Sequence, residues 1–471
     1  MQIPCTIQEL EILQIVSAVA DKLGYPCYAI GGFVRDKILG RATEDIDIVC
    51  VGDGLILAQQ VAKQLPDNPQ VNLFQTYGTA QIKTKAIEIE FVGARKESYH
   101  RESRNPMVEP GTLQDDQNRR DFTINAMAIS LNKADFGEML DPFKGIKHLQ
   151  QKIIITPTEP DKTFIDDPLR MMRAIRFASQ LGFAIEPYTF ASIKENAERI
   201  RIITQERITV ELNKIVMSKK PSIGFDLLEK SGLLKIIFPQ MQDLKGVDVI
   251  NGKGHKDNFY HTLQVLDNVS KTTQKLWLRW AAILHDIAKP ATKKFEKGHG
   301  WTFHGHEHIG AKMTPRIFTN LKLPLGAEMK FVQKLVLLHL RPISLTKTEI
   351  TDSAIRRLLF DAGEDIDELM QLCNADITSK DEGKVQRFRQ NFELVKEKMI
   401  ALEERDKIRN WQPVITGDII MNTFHLKPSK PVGDLKNIIR DAILDGVIKN
   451  EFEEAFTYLL EKGKEMGLNP A

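Results

Sequence analysis

The sequence predicts an α+β fold in which a head of mixed sheet and helices precedes an all-helical body. Polar and apolar residues alternate in several short segments before residue 155, whereas helical spacing of apolar residues dominates after it. With 471 residues, of which 42% are hydrophobic and 27% are charged, the chain has enough material for about three domains with separate cores.

Charge and cysteine content narrow the class of protein. The net charge is only +2, so an RNA-binding surface must be a local patch, and residues 289–297 and 427–436 are candidate patches. The four cysteines form no CxxC pair, which argues against a zinc knuckle or a disulfide framework and fits a reducing cytoplasm. The start of the chain does not resemble a signal peptide, and no apolar run approaches the length of a membrane span. We therefore expect a cytoplasmic protein with no membrane partner.

A glycine turn near the amino terminus is the first candidate binding feature. We expect an apolar strand over Cys27–Ile30 and a short helix over residues 33–39. Between them, Gly31 and Gly32 permit a tight turn whose backbone amides are open to an anion at the start of the helix. Arg35 lies in the first helical turn, where the helix dipole disfavours a cation, so its guanidinium is interpreted as a triphosphate ligand.

Paired carboxylates follow the glycine turn. In the segment EDIDIV, polar and apolar residues alternate, so Asp45 and Asp47 project from the same face of a strand. Two like charges this close require divalent cations. A later alternating segment, residues 86–95, offers Glu88 and Glu90 on one face, and either residue could supply a third carboxylate.

The sequences GGFVRD and EDIDI resemble the signature of bacterial tRNA nucleotidyltransferases (CCA-adding enzymes) and bacterial poly(A) polymerases. The resemblance runs nearly end to end and implies a polymerase-β-type nucleotidyltransferase head. In this family an acid precedes an arginine by five residues on the later strand, which selects Glu90 through Arg95, with Glu88 as the alternative. The implied cofactor is Mg²⁺, held as two ions by Asp45, Asp47 and the third acid for attack of a primer 3′-hydroxyl on a nucleoside triphosphate.

A second block, RRDFTINAMA at residues 119–128, resembles the sugar and triphosphate block of the same family. The resemblance implies that Arg120 contacts the nucleotide phosphates, that Asp121 contacts the ribose hydroxyls, and that Asn125 maintains the local geometry.

The segment before this block, residues 96–117, is polar and too long for a simple hairpin turn, so we interpret it as a mobile loop. In the family a flexible element here supports the switch from C to A addition. Its full length in this chain favours complete CCA addition.

A third block, DDPLRMMRAIRF at residues 166–177, could supply the side chains that recognise the base of the incoming nucleotide. Asp167 and Arg170 are three residues apart in an expected helix and would share a face. A carboxylate accepts from the exocyclic amine of cytosine or adenine and a guanidinium donates to the ring nitrogen, so this pair would refuse uracil and guanine. The family motif implies that role, although an intrahelical ion pair is the alternative.

Asp166 stands where the family usually has glutamate. Arg173 and Arg176 continue a basic stripe that could meet RNA phosphates.

A second chemical site is expected in the helical body. Its residues resemble the ligands of an HD-type phosphohydrolase domain: His261, His285, Asp286, His306, His339 and Asp376. The resemblance implies that His261, His285, Asp286 and Asp376 hold one divalent transition metal and that His306 and His339 are available to a second. His304 and His308 flank His306 and stay open as alternative ligands. A hydroxide bridging the two metals would attack phosphate.

The motifs and the periodicity divide the chain into four parts. We expect a nucleotidyltransferase head at 1–155, a helical neck with the nucleobase helix and an RNA-binding region at 156–245, an HD-type metal phosphohydrolase domain at 246–382, and a helical tRNA-binding tail at 383–471.

Together these features predict template-independent addition of CCA to tRNA 3′ ends from CTP and ATP, with an additional HD-domain phosphohydrolase activity. The expected partners are tRNA, CTP and ATP, and no obligatory protein partner is inferred. A poly(A) polymerase or a partial CC- or A-adding enzyme is the close alternative, because the head motifs barely separate these activities. An HD phosphohydrolase with a nucleotide-sensing head is an alternative of another class, for which Asp45→Ala would leave the main activity intact.

Overall fold

The computed structural model describes residues 3–43, 45–75, 78–85, 87–98, 107–250, 252–345, 351–378, 382–406 and 411–470. The chain forms two compact units, Met1–Gln242 and Asp243–Ala471. Among the described helices, none combines the length and the apolar character needed to cross a bilayer.

The head occupies the first part of the first unit. Its helices and strands are α1 (Ile7–Leu23), β1 (Cys27–Ile30), α2 (Gly32–Ile38), β2 (Asp45–Cys50), α3 (Gly54–Ala62), β3 (Val71–Phe74), β4 (Thr79–Lys83), β5 (Glu88–Gly93), β6 (Arg95–Ser98), β7 (Met107–Pro110), α4 (Leu113–Asn118), β8 (Ala128–Ser130), β9 (Met139–Leu140), α5 (Gly145–Gln151) and β10 (Ile153–Ile154). Seven strands form one mixed sheet in the order β3-β4-β5-β2-β1-β8-β9. In this sheet β2 and β5 run parallel, and the other neighbours are antiparallel.

The alternation in β2 separates a core face from an acidic face. Ile46 and Ile48 are fully buried, whereas Asp45 is exposed and Asp47 is partly buried. Because side chains alternate along a strand, both aspartates lie on the opposite face from the isoleucines, as predicted.

The connection after β5 differs from the expected mobile loop. β6 and β7 pair as antiparallel strands, and α4 follows with a capping box between Thr112 and Asp115. The prediction of a loop over residues 96–117 is therefore wrong for its described part, because polar residues at the edge of a two-stranded ladder do not show the alternation of a half-buried strand. Residues 99–106 lie outside the described residues.

The remainder of the first unit is mainly helical. It contains α6 (Pro160–Asp166), α7 (Leu169–Leu181), β11 (Ala184–Ile185), α8 (Pro187–Asn196), α9 (Gln205–Val216), α10 (Pro221–Lys230), α11 (Leu233–Ile237) and α12 (Pro239–Gln242). The two-residue strands β10 and β11 pair in parallel. Buried apolar side chains of α7 and α9, among them Ile175 and Leu212, form the core that fixes these two helices against each other.

The second unit contains the histidine-rich helices and the tail. Its elements are β12 (Val249–Ile250), β13 (Lys253–Gly254), α13 (Asn258–Thr272), α14 (Leu276–Leu284), α15 (Lys289–Thr292), β14 (Lys294–Glu296), β15 (Gly300–Thr302), α16 (His306–Asn320), α17 (Ala327–Leu338), α18 (Leu340–Leu345), α19 (Asp352–Ala362), α20 (Ile366–Asp376), α21 (Glu382–Asp406), α22 (Gly417–Phe424), α23 (Lys430–Leu444) and α24 (Phe452–Glu465). Two short hairpins, β12–β13 and β14–β15, interrupt the body that was predicted to be all helical. Strands of two or three residues are too short to show a period of two.

Candidate functional site

The sheet brings acidic side chains of β2 and β5 into register. Asp45 lies beside Glu88, and Asp47 lies beside Glu90. Burial raises the pKa of Asp47, and the nearby charge of Asp45 raises it further against the opposing effect of Arg120. Burial and the neighbouring carboxylates likewise raise the pKa of Glu90. Crowded carboxylates of this kind gain from a divalent cation, and their oxygen atoms are the donors that Mg²⁺ prefers, so these residues fit the predicted metal.

The two candidates for the third acid have different surroundings. Glu90 lines a cavity of about 350 Å³ together with Asp47. The carboxylate of Glu88 accepts a hydrogen bond from the side-chain amide of Gln81. Glu90 therefore stays the proposed third acid, with Glu88 as the alternative.

The cavity collects residues from separate parts of the sequence. Seven of the predicted site residues line it: Asp47, Glu90, Arg120, Asp121, Asp167, Arg170 and Arg173. Its volume lies within the range of small-molecule sites in proteins. The remaining predicted residues of the head and neck are not part of the lining: Gly31, Gly32, Arg35, Asp45, Asn125 and Arg176.

The glycine turn positions a carboxylate and an arginine. Gly31 has a φ of +81°, and a Cβ atom there would lie 2.8 Å from an Asp47 carboxylate oxygen and 2.9 Å from Nη1 of Arg120. The Gly31 amide donates to the Met127 carbonyl at 3.3 Å, and the Gly32 amide lies close enough to the Asp47 carboxylate to oppose the rise in its pKa. The expectation that both amides are open to an anion is therefore wrong for Gly31, because a carbonyl of the protein itself accepts from that amide. The turn instead permits the close approach of Asp47 and Arg120.

Arg35 lies behind the cavity. Its guanidinium is 2.7 Å from the carboxylate of Asp36 and donates to Oδ1 of Asn125 at 2.7 Å. It also lies 4.9 Å from the ring centre of Phe177. Arg35 is 8% exposed, so the triphosphate contact predicted for it is not supported by this placement. The residue supports Asn125 instead.

Asp116 anchors both arginines of the RRD block, and the sequence interpretation missed it. It is fully buried, pairs with Arg119, and accepts from Nε of Arg120 at 3.0 Å. Burial opposes its ionisation, but the two guanidiniums outweigh that effect and lower its pKa. The spacing of three and four residues to the arginines was the available signal, and it was hidden by the assignment of this segment to a loop.

Asp121 joins the RRD block to helix α7. Its carboxylate accepts from Nδ2 of Asn125 at 2.9 Å, from the Phe122 amide at 2.8 Å and from Nε of Arg173 at 2.7 Å. Burial opposes ionisation of Asp121, but Arg173 and Asn125 outweigh it and lower its pKa to about 2. Arg35, Asn125, Asp121 and Arg173 therefore form a continuous chain of polar contacts along one side of the cavity.

The predicted base-reading pair lies at a junction between two helices. Asp167 follows α6 in an extended conformation, Pro168 comes next, and α7 begins at Leu169. The expectation that Asp167 and Arg170 share one continuous helix is wrong, because the residue before a proline is disfavoured in the helical region. The Asp167 carboxylate accepts from the Leu169 amide at 3.1 Å and so caps α7. Both side chains nevertheless line the cavity, and within the described part of the chain no ion pair joins them.

The two later arginines of α7 do not form an exposed stripe. Arg173 reaches into the cavity to Asp121. Arg176 is buried, pairs with Glu211 at 2.8 Å and lies 4.0 Å from the ring centre of Phe177. The contact with RNA phosphates predicted for Arg176 is not supported by this enclosed position.

Histidines and aspartates from five helical segments converge in the second unit. His261 Nε2 lies 2.9 Å from Asp376 Oδ1, and His285 Nε2 lies 3.2 Å from Asp286 Oδ2. On the other side of Asp286, its Oδ1 atom lies 3.2 Å from His306 Nε2 and 3.9 Å from His339 Nε2. Asp286 thus belongs to two groups of potential ligands, one with His261 and His285 and one with His306 and His339.

Three of the four histidines of this cluster are oriented for metal binding. Nδ1 atoms of His285, His306 and His339 lie 2.8, 2.7 and 2.7 Å from backbone carbonyls three residues earlier. A donated Nδ1–H leaves Nε2 as the ligand atom. The buried Nε2 of His285 makes no hydrogen bond of good geometry with the described residues, although Asp286 is near. The donor set therefore fits a divalent transition metal.

The alternative histidines lie outside this cluster. His308 is 66% exposed and faces Glu307, and His304 is exposed. His306 is buried and lies in the cluster beside Asp286 and His339, so it stays the proposed ligand.

Sequence models of three families match the chain. They are the poly A polymerase head domain over residues 27–155, the probable RNA and SrmB-binding site of polymerase A over 182–245, and the HD domain over 258–381. The fold and the site thus define a nucleotidyltransferase of the polymerase head class that carries an HD domain.

Named relatives identify the family more closely. The A-adding tRNA nucleotidyltransferase of Deinococcus radiodurans is 31% identical over 345 residues, which cover 71% of this chain and 76% of that protein. The multifunctional CCA protein of Haemophilus influenzae is 34% identical over 318 residues, which cover 63% and 71%. An A-adding tRNA nucleotidyltransferase of Aquifex aeolicus is 37% identical over 204 residues, but the match spans only 24% of that longer protein. This chain belongs to the tRNA nucleotidyltransferase family, as the sequence motifs predicted.

Solved structures share the fold. A CCA-adding enzyme of Bacillus stearothermophilus in complex with CTP has a TM-score of 0.67 at 23% identity, over 98% of this chain and 99% of that chain. A Thermotoga maritima CCA-adding enzyme complexed with tRNA has a TM-score of 0.61 at 21% identity, over 97% and 96%. The predicted polymerase-β-type head and helical body with an HD domain are confirmed.

Proposed function

We propose that this protein adds C, C and A to tRNA 3′ ends from CTP and ATP without a nucleic-acid template. The observation that carries the proposal is one cavity in which Asp47 and Glu90 face Asp121, Asp167 and Arg170. Catalytic carboxylates, a sugar-binding acid and a base-reading pair are the parts that such a reaction requires. Relatives that carry the name CCA protein, and structural neighbours bound to tRNA, CTP or ATP, support it.

The acids of the sheet are the proposed metal ligands. Asp47 on β2 pairs with Glu90 on β5, and Asp45 lies two residues before Asp47. These three carboxylates would hold Mg²⁺. When bound, the metal supplies activation of the primer hydroxyl and neutralisation of the triphosphate charge. No side chain of the protein needs to act as a nucleophile.

The charged residues of the cavity lining, Arg120 and Asp121 among them, form the proposed nucleotide site. Arg120 is held by Asp116 and projects into the cavity, where it would bind the phosphates. Asp121 is kept ionised by Arg173 and would accept from the ribose hydroxyls. Asn125 holds Asp121 in place.

Asp167 and Arg170 are the proposed base-reading groups. A carboxylate accepts from the exocyclic amine of cytosine or adenine, whereas uracil and guanine present a carbonyl oxygen at that position. A carbonyl opposite a carboxylate leaves both acceptors unpaired, which opposes binding of the wrong base.

Addition of A alone to a tRNA that already ends in CC is a second candidate function. The specific observation that favours it is that the relatives from Deinococcus radiodurans and Aquifex aeolicus are named A-adding enzymes.

A primer series separates the two candidates. Purified protein is incubated with tRNA that ends at the position before CCA, with tRNA ending in C and with tRNA ending in CC. Each nucleoside triphosphate is offered singly, and then CTP and ATP are offered together. Growth by three residues followed by arrest supports CCA addition. Extension of the CC primer alone supports A addition, and continuous A addition contradicts both.

We further propose that the HD cluster is a phosphohydrolase centre with a divalent transition metal, and that the chain works in the cytoplasm. His261, His285, Asp286 and Asp376 would hold one ion, with His306 and His339 available to a second. The four-part division of the chain, with a tRNA-binding tail over 383–471, remains part of this proposal.

A further inference from the structure

The catalytic cavity has two chemically different sides. One side is highly charged and comes from the segment between α4 and β8 and from the junction of α6 with α7: Arg119, Arg120, Asp121, Asp167, Arg170 and Arg173. The other side is formed by β3, β4 and β5 and includes Phe74, Thr79, Gln81 and Val92, and Arg95 at the start of β6 also lines the cavity. The carboxylates of Asp47 and Glu90 lie between the two sides.

The register of the sheet places Phe74 on the catalytic face. Glu90 on β5 pairs with Gln81 on β4. Two residues along, Val92 on β5 pairs with Thr79 on β4, and Thr79 pairs in turn with Phe74 on β3. Side chains of paired residues, and of residues two apart along one strand, project from the same face of the sheet. Phe74 is therefore on the same face as Glu90, two strands away and two residues along, at about 12 Å by strand geometry.

The Phe74 ring is available to a ligand. The residue is 47% exposed, on the edge strand of the sheet, in the cavity lining. Its neighbour Leu73 is 37% exposed, does not belong to the lining, and points to the opposite face because side chains alternate along β3. Both residues are exposed, so what distinguishes them is the face of the sheet from which each side chain projects.

Nucleotidyl transfer brings two nucleotide-bearing substrates to opposite sides of the carboxylates. A triphosphate carries several negative charges and fits the side with four guanidiniums. The acceptor terminus carries one phosphodiester per nucleotide and an unpaired base. An aromatic side chain binds an unpaired base by stacking, and stacking tolerates any base. That tolerance suits an acceptor whose last base changes as the reaction proceeds.

We propose that Phe74 is the platform on which the 3′-terminal base of the acceptor RNA stacks, beside the polar side chains of Thr79 and Gln81. This inference rests on the proposed nucleotidyltransferase function and assigns the acceptor subsite within it. The incoming nucleotide occupies the charged side, so Phe74 acts on the affinity for acceptor RNA and not on the affinity for CTP.

Steady-state kinetics with two substrates varied separately test the proposal. Removal of a stacking contact costs about 1–3 kcal/mol, so Phe74→Ala raises the KM for tRNA by about 5- to 150-fold. The KM for CTP stays within about twofold of the wild-type value. Phe74→Tyr retains the aromatic face and restores the KM for tRNA. Leu73→Ala, the matched control on the other face of β3, leaves both KM values unchanged.

A fluorescence measurement tests the same contact without catalysis. An RNA acceptor stem with 2-aminopurine at its 3′ end is titrated with wild-type protein in the absence of nucleotide. Stacking quenches the probe, and Phe74→Ala abolishes the quenching while Phe74→Tyr keeps it. Thermal unfolding of each variant verifies that it is folded.

The results that would overturn the proposal are distinct from failure of the proposed function. A Phe74→Ala variant whose KM rises for CTP instead of tRNA assigns the ring to the incoming nucleotide. Equal effects of Phe74→Ala and Leu73→Ala, or unchanged quenching in Phe74→Ala, also refute the acceptor subsite. If the wild-type protein extends no tRNA primer, the proposed function fails, and the quenching experiment alone decides whether the ring stacks a terminal base.

Discussion

Glu88 and Glu90 lie two residues apart on one face of β5. Substituting each one separately removes the same charge at two positions, so any difference between the variants is due to position. Glu90→Gln removes a carboxylate from the cavity and is expected to lower kcat for C addition by about 100-fold or more, as loss of a preorganised charge at a reacting centre does. The KM for CTP changes little, because the charged side of the cavity remains intact. Initial rates with tRNA and CTP measure the effect.

Glu88→Gln is the matched control, since Glu88 is bonded to Gln81 and is outside the cavity lining. We expect its kcat to remain within about threefold of wild type, as for surface substitutions that remove no required group. A loss in this variant as large as in Glu90→Gln would place the third acid at Glu88.

The pKa of Asp121 gives a pH dependence of stability. Its folded pKa is about 2, below the ordinary value of 3.8. A lowered pKa means that the stabilisation is present above the unfolded value and is lost as pH falls toward the folded value. The difference in unfolding free energy between wild type and Asp121→Asn should therefore shrink as pH falls from about 4 to about 2. Urea unfolding of both proteins at each pH measures it, and a difference that stays constant across this window would refute the assignment.

At the scale of elements, helix α9 supports the base-reading junction. Nη2 of Arg207 lies 3.9 Å from Oδ2 of Asp167, and Glu211 one turn later pairs with Arg176. Arg207→Gln removes a partner of Asp167 without touching the cavity. We expect it to lower the preference for CTP over UTP by about two- to fivefold, because a partly exposed ion pair contributes up to about 1 kcal/mol.

The control for that variant is Arg201→Gln, which removes an exposed ion pair with Glu198. It should leave base preference unchanged. Competition assays with labelled CTP and UTP on one tRNA primer compare the variants. Equal selectivity of the two variants would show that Arg207 has no role in positioning Asp167.

Elements with a clear period could be predicted from the sequence, and junctions between them could not. β2 alternates strictly, so the shared face of Asp45 and Asp47 was evident. The break at Pro168 was visible as a residue type, but helical spacing before and after it suggested one helix. Contacts over a long sequence separation, such as Arg35 with Asn125, carry no local signal.

At the scale of the whole molecule, the boundary between the compact units falls between Gln242 and Asp243, three residues from the predicted boundary at 245. The sequence signal was a change to a glycine- and lysine-rich segment. The acidic residues of β2 and β5 lie in the first unit and the histidine cluster lies in the second. Each set of side chains is therefore contained within one unit.

This separation predicts that the two activities can be removed independently. Asp286 contributes to both groups of potential ligands, through Oδ2 toward His285 and through Oδ1 toward His306. Asp286→Asn should therefore lower bound transition metal, measured by mass spectrometry, and abolish phosphate release from RNA ending in a 3′-phosphate. Nucleotide addition to tRNA should be retained, because the acids of the head are unchanged.

The reciprocal variant, Asp47→Asn, should lose nucleotide addition and keep both metal content and phosphate release. His308→Ala is the control for the histidine cluster, since that side chain is 66% exposed and faces Glu307. If Asp47→Asn also lost phosphate release while remaining folded, the two reactions would share one centre. If Asp286→Asn kept its metal and its phosphate release, the cluster would not be the hydrolytic site, and the second activity would have to be sought elsewhere in the chain.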